Sequence, residues 1–261
     1  MLSELSSEPR TEKVSLLVFH CFALTTPQML SVFKKTGTSV HYLIMRNGRI
    51  LNPVPENQVA YHAGLSSWRN FPEKINRHSI GIEIQSPTMG QGNYTAAQIK
   101  SLIKLARGII RRHKIRPENI VGHADIAPYR KPDPGRGFPW QTLAKAGIGL
   151  WPAVSPKKPA NALSPAEAEK LLQQIGYNTL DPLAALWAFV CRFMPEKAVR
   201  QPDIIRRESQ VFDYWCGVPA AEIQNRLKQA PVIWPPEAAN LIRNQKVANR
   251  LRQVAKVYQR T

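Results

Sequence analysis

Three short runs rich in β-branched residues, VSLLVFH (14–20), VHYLIM (40–45) and SIGIEI (79–84), alternate with stretches whose apolar residues recur at helical spacing. That alternation limits the chain to an α/β fold, because strands and helices in turn can bury their apolar faces only by layering helices on a sheet. TPQMLSVFKKTG (26–37) reads as a helix ended by Gly37, and TAAQIKSLIKLARGIIRRHKI (95–115) sets Ile99, Leu102, Ile103, Leu105, Ala106, Ile109 and Ile110 on one face. Asn47-Gly48 inside RNGRI (46–50) is a hairpin signal. The expectation for residues 1–150 is a mixed central β-sheet flanked by helices.

The composition changes after Trp140. Residues 151–163 are proline-rich and read as a linker. Ser164, Pro165 and Glu167 then supply an N-cap, a first-turn proline and the acid of a capping box, and Gly176 closes that helix. PLAALWAFVCRFM (182–194) is apolar nearly all round, so a buried helix is expected; a third follows near ESQVFDYWCGV (208–218) or AAEIQNRLKQ (220–229). Residues 164–235 should thus form a small all-α three-helix bundle. Residues 236–261 read as one basic C-terminal helix with a solvated face.

The formal net charge is +18, with 22 Lys and Arg against 9 Asp and Glu in residues 1–160, and 14 against 9 thereafter. Such a surface suits a polyanion. A nucleic-acid binder would need aromatic residues interleaved with the basic ones on a single face, and no nucleic-acid-binding module is recognisable, so no nucleic-acid partner is expected. No apolar run reaches bilayer-spanning length, and MLSELSSEPRTEK lacks the marks of a secretory leader, so either the protein stays in the cytoplasm or a leader is missing from this sequence. Three cysteines (Cys21, Cys191, Cys216) fit no metal spacing. Cys191 and Cys216 could pair only in an oxidising compartment, and reduced core thiols are the expectation.

Two histidines close apolar runs: His20 ends VSLLVFH and His123 ends IVGH. If both runs are strands of one sheet, their C-terminal ends can present the two imidazoles at one edge, where open α/β sheets usually place their sites. Asp133 follows ten residues after His123, between Pro132 and Pro134 that stiffen its loop. Two imidazoles and one carboxylate leave a fourth tetrahedral position for water, the donor set of a hydrolytic zinc centre. Glu83 lies mid-strand, where a carboxylate is costly without a partner or a task; general base is the expected task. Lys131, two residues before Asp133, is a candidate for stabilising an oxyanion.

FHCFA with His20, SVHYLI with His41, AYHAG (60–64), NRHSIGIEI (76–84) and GHADIAPYRKPDPG (122–135) stand in the order found in zinc-dependent type 2 N-acetylmuramoyl-L-alanine amidases. Over roughly residues 14–150 the chain resembles that family, and most of all its bacterial cell-wall and anhydro-muropeptide branch. The resemblance implies one Zn2+ held by His20, His123 and Asp133, with Glu83 as base and Lys131 as transition-state stabiliser. It also implies His41, His62 and Asn76 in motifs near the metal or along the substrate groove. Relatives without the glutamate use a tyrosine where this chain has Val40, so Glu83 and Val40 are consistent with each other. Cys21 departs from the common pattern, and strand alternation turns it away from His20.

The reaction implied is hydrolysis of the amide between N-acetylmuramic acid and L-alanine in peptidoglycan or muropeptides, by a monomer. The alternative is a recognition protein that binds muropeptide without cutting it. Such relatives usually lose a metal ligand, and all three are present here. LLQQIGY (171–177) and AFVCRFMPE (188–196) resemble a three-helix peptidoglycan-binding domain, with Trp187, Phe193, Tyr214 and Trp215 as packing or glycan-contact residues. That resemblance favours the periplasm or cell envelope, against the reading of the N-terminus.

Overall fold

The computed structural model describes residues 5–92, 94–153, 161–198, 222, 225 and 236–261. The chain divides into two compact units. The first comprises residues 1–66, 71–123 and 133–150; the second takes residues 151–261 together with the short segments 67–70 and 124–132. Sequence reading put no part of residues 1–150 with the helical region. The two segments are far in sequence from the helices they pack with, and no local pattern marks such packing.

The first unit is built on a five-stranded sheet in the order β4-β3-β6-β2-β7, from β2 (Leu16–Phe22), β3 (Tyr42–Ile44), β4 (Ile50–Leu51), β6 (Ser79–Gln85) and β7 (Ile120–Gly122). Strands β3, β6, β2 and β7 are parallel, and β4 returns antiparallel from β3. This is the mixed sheet expected. The turn between β3 and β4 closes through Gly48, whose N–H bonds Met45 O at 2.9 Å and whose φ of 83° an L side chain would resist. All seven residues of β2 are buried, as central parallel strands covered on both faces must be. Within so apolar a strand, His20 is the exception that needs explaining.

Helices cover the sheet. α1 (Thr26–Thr36) ends at Gly37 with φ 68°, and α3 (Ala96–His113) begins with a capping box between Thr95 and Gln98. Its buried seam is Gln98, Leu102, Ala106 and Ile109, a narrower stripe than the expected face. The short helix α2 (Ile75–His78) precedes β6 and α5 (Trp140–Lys145) closes the unit; α4 (His123–Ile126), which follows β7, belongs past His123 to the second unit. A second, two-stranded sheet pairs β1 (Ser7–Pro9) with β5 (Gln58–Ala60).

Where α3 ends, Glu56 accepts from Tyr42 Oη (2.6 Å), Arg112 Nε (3.2 Å) and His113 Nε2 (2.6 Å). Burial pushes its carboxyl up, but the bonds from Arg112, Tyr42 and His113 outweigh this and bring it down to about 2. Glu56→Gln is expected to cost about 1–2 kcal/mol at neutral pH, a figure kept small because Arg112 is half exposed. The folded carboxyl lies below its ordinary value of 4.5, so the deficit is complete above that value. It shrinks as pH falls toward about 2, where the native carboxylate itself protonates. Urea unfolding of both proteins at pH 7 and pH 3 checks the sign.

In the second unit, α6 (Pro165–Ile175) carries the expected capping box from Ser164 and Glu167, and α7 (Pro182–Phe193) is capped by Asp181 and almost wholly buried. Phe193 is core, packed on Phe189 and Tyr258; Trp187 is half-buried. The expected single tail helix is two helices, α8 (Pro236–Arg243) and α9 (Gln245–Tyr258). Asn244 separates them because its side chain accepts from the N–H groups of Lys246 and Val247, an N-cap that competes with continuing the helix. The expected third bundle helix, with Tyr214, Trp215 and Cys216, and most of the linker lie outside the described residues.

Candidate metal centre

Strands β6, β2 and β7 are parallel neighbours, and their register sets His20 opposite Glu83 and Phe19 opposite Gly122. His123, the next residue after β7, therefore comes level with His20 across the sheet. Cross-strand neighbours in register share a face, so His20 and Glu83 project to the same side while Phe19 packs on Phe138 and Trp140 behind them. The strand β2 continues two residues past His20, where a strand end had been expected. Its extension is held by Ser86 N–H donating to Phe22 O at 2.7 Å.

Three atoms converge on one point. His20 Nδ1 and His123 Nδ1 are 2.9 Å apart, and each lies 3.3 Å from Asp133 Oδ2. Donor atoms about 2.0–2.1 Å from a tetrahedral zinc stand roughly 3.3 Å from one another; the two edges to Asp133 match this, and the edge between the imidazoles is shorter. All three side chains are buried. The hydrogen bonds on the far side of each ring fix which nitrogen is bare. His123 Nε2 lies 3.2 Å from Ala63 O, and a carbonyl only accepts; the ring proton is on Nε2 and Nδ1 offers its lone pair.

Asp133 reaches the triangle on a loop that is clamped from outside. Tyr94 Oη donates to Pro134 O at 2.7 Å, and Gly137 N–H donates to Gly90 O at 2.8 Å. Gly90 must be glycine here, since a Cβ would fall 1.8 Å from Pro134 O. Burial raises the Asp133 carboxyl, but the facing imidazoles, His123 foremost, outweigh this and hold it well below the usual range. An ionised, acceptor-only carboxylate is the form that ligates a cation.

The remaining expected site residues fall in different places. Glu83 is 8% exposed, on the face of β6 that carries His20's neighbour position. Lys131 is half-buried in the 124–132 segment, its N–H bonded to Ala127 O at 2.9 Å. His41, expected near the metal or along the groove, is fully buried. Its Nδ1 accepts from Gly81 N–H (3.0 Å) and its Nε2 meets Gln58 O (3.1 Å), and burial pushes its pKa down to about 3. In this structure the ring is neutral, has both nitrogens engaged and no exposed surface, and links the start of β3 to β6.

Asn76 is also committed to the backbone: its Oδ1 accepts from His62 N–H (3.0 Å) and Ala63 N–H (2.7 Å), holding the loop that orients His123. His62 stands beside His20, Nδ1 to Nε2, at 3.0 Å. Sequence reading missed Arg10, a guanidinium that donates to the carbonyls of Glu56 (3.0 Å), Gln58 (2.8 Å) and Ser79 (3.0 Å) and so ties β1 to the edge of the site. A lone arginine directly after a three-residue strand carries no local signal of that duty. Ser79 was missed as well, though it shares the alternating face of β6 with Gly81 and Glu83.

A family model described as N-acetylmuramoyl-L-alanine amidase matches residues 10–136. The chain is 36% identical over 210 residues to the N-acetylmuramoyl-L-alanine amidase AmiD of Escherichia coli (strain K12), covering 70% of this chain and 76% of that one. It is 35% identical over 154 residues to the 1,6-anhydro-N-acetylmuramyl-L-alanine amidase AmpD of Haemophilus influenzae, covering 51% of this chain and 82% of the relative. Among solved structures, E. coli AmiD in complex with the substrate anhydro-N-acetylmuramic acid-L-Ala-D-gamma-Glu-L-Lys superposes with a TM-score of 0.63 at 35% identity, over 72% of this chain and 84% of that one. AmpDh3 of Pseudomonas aeruginosa gives 0.61 at 30% identity, over 71% and 85%.

Proposed function

Because this chain belongs to the N-acetylmuramoyl-L-alanine amidase family, we propose that His20, His123 and Asp133 hold the zinc ion of its active site. It is a hydrolase of that class, a cell-wall amidase cutting the bond between N-acetylmuramic acid and L-alanine. The proposed substrate is an anhydro-muropeptide or the equivalent unit of peptidoglycan. The observation that carries the reading is the triangle of Nδ1, Nδ1 and Oδ2 atoms with edges of 2.9, 3.3 and 3.3 Å.

A zinc ion bound there supplies a Lewis acid that polarises the scissile carbonyl and brings the pKa of a water toward neutrality. The chain's own groups do the rest. Glu83 accepts the proton of the attacking water and returns it to the leaving amine nitrogen, which otherwise departs as an unstable anion. Lys131 is assigned to the developing oxyanion, a role supported by the family resemblance and by its tether of two residues to Asp133. The strongly basic chain, at +18, favours anionic stem peptides and wall polymers. Among the described residues no helix is long and apolar enough to cross a membrane. The resemblance of residues 171–196 to a wall-binding domain supports action at the cell envelope.

Incubation of the purified protein with anhydro-muropeptides and with sacculi, read by mass spectrometry, tests the reading. Free stem peptide and free anhydro-sugar are expected from the intact protein. A strong chelator should reduce release to the uncatalysed background, and added zinc should restore it. Full turnover in chelator would refute the metal assignment.

A further inference from the structure

Beyond the ligands themselves, we infer that His62 is a positioning residue that fixes the tautomer and ring plane of His20, with Ser79 setting the orientation of His62; the inference rests on the metal assignment above. The argument starts at a backbone carbonyl. Ser79 Oγ lies 2.7 Å from Ile75 O, and because a carbonyl only accepts, the serine hydroxyl is the donor. Its oxygen is then left to accept from His62 Nε2, 3.2 Å away, so the His62 proton sits on Nε2.

A neutral His62 protonated there has a bare Nδ1, which accepts from His20 Nε2 at 3.0 Å. That places the His20 proton on Nε2 and leaves Nδ1 free to face His123 and Asp133. The direction of every donor in the relay follows from one carbonyl. The position of the ring is set as firmly. His62 lies on the face of β6 over Gly81, where a Cβ would come within 2.6 Å of the imidazole, and Asn76 Oδ1 holds its backbone N–H. Glycine at 81 makes room for the ring; two residues before it Ser79 meets His62, and two residues after it Glu83 stands opposite His20 in the strand register. With both ring nitrogens committed, His62 acts through His20 and not on substrate. Groups bonded to the outer nitrogen of a ligating histidine typically govern metal affinity by about 10–100-fold.

Zinc dissociation constants measured by competition with a chromophoric chelator, beside thermal melts of the metal-free proteins, test the relay. His62→Phe keeps a flat ring over Gly81 but accepts nothing, and it should weaken zinc binding by about 10–100-fold with an apo melting temperature near that of the parent. His62→Gln, whose amide can accept from His20 and donate to Ser79, should restore most of the affinity. Ser79→Ala should weaken binding in the same direction by less. A parent protein that binds zinc, with His62→Phe binding equally well or His62→Gln no better than His62→Phe, overturns the inference alone. A parent that takes up no zinc overturns the metal assignment and the inference together. Should His62→Phe fail to fold, Ser79→Ala decides: affinity equal to the parent's overturns the relay, and a loss matched by no change in apo stability upholds it.

Discussion

Glu83→Gln should retain one zinc per chain and the parent fold while lowering kcat by about 10²–10⁴-fold. The amide has the volume and shape of the carboxyl, so β6 and its pairing with β2 are undisturbed; what is lost is the ability to take a proton. Glu83 stands opposite His20 in the parallel register, on the ligand-bearing face of the sheet and largely withdrawn from water. A carboxylate so placed is costly unless it has a partner or a task. The expected signature is a fall in kcat larger than any change in KM, since the proton is in flight only in the transition state. Steady-state kinetics on an anhydro-muropeptide, with zinc content measured on the same sample, check it. A kcat within threefold of the parent would mean that another group moves the proton.

Much of the framework behind that prediction was legible from local chemistry. Runs such as SIGIEI are buried strands because they are too short for helices and rich in β-branched residues. Gly37, Ser164 and Glu167 mark helix ends because capping is decided within one turn. The candidate ligands were legible for a related reason: His20 and His123 stand toward the C-terminal ends of apolar runs, the side of an open parallel sheet that usually carries its chemistry, although β2 runs two residues past His20.

What escaped reading was set by partners distant in sequence. The duties of Arg10 and Ser79 lie in the carbonyls they meet, which belong to other segments. The motif of His41 placed it near the metal, and nothing in that motif told that the N–H of Gly81 in β6 holds its ring. The tail read as one helix because a basic and apolar periodicity runs through Asn244, and only the competing side-chain bonds to Lys246 and Val247 break it. The strands β1 and β5 are each three residues long and gave no periodicity to read.

The same distance effect underlies the largest stability change expected, in the second unit. Arg192 on α7 is 2% exposed and its Nη1 lies 2.5 Å from Asp125 Oδ2, while Tyr177 Oη donates to Asp125 Oδ1 at 2.7 Å. The facing charge of Asp125 counters burial and holds the guanidinium above its ordinary range. Arg192→Met keeps much of the aliphatic stem but strips Asp125 of its counter-charge in a place water does not reach. Breaking a buried pair from one side costs about 3–5 kcal/mol, more than the pair is worth against an apolar substitute.

The corresponding loss in melting temperature is on the order of 10 °C or more. Adding Asp125→Asn to Arg192→Met should recover most of it, because a neutral amide can still accept from Tyr177 and no longer demands a cation. Tyr177→Phe should cost less, about 1.5–3 kcal/mol, as one charged hydrogen bond is removed and the ion pair remains. A cycle of the parent, Arg192→Met, Asp125→Asn and the double variant by urea unfolding separates the pair from the packing around it. If the double variant were as unstable as Arg192→Met alone, the lost stability would belong to the arginine stem and its aromatic neighbour Phe193, and the ion pair would not be what holds residues 124–132 to the helices.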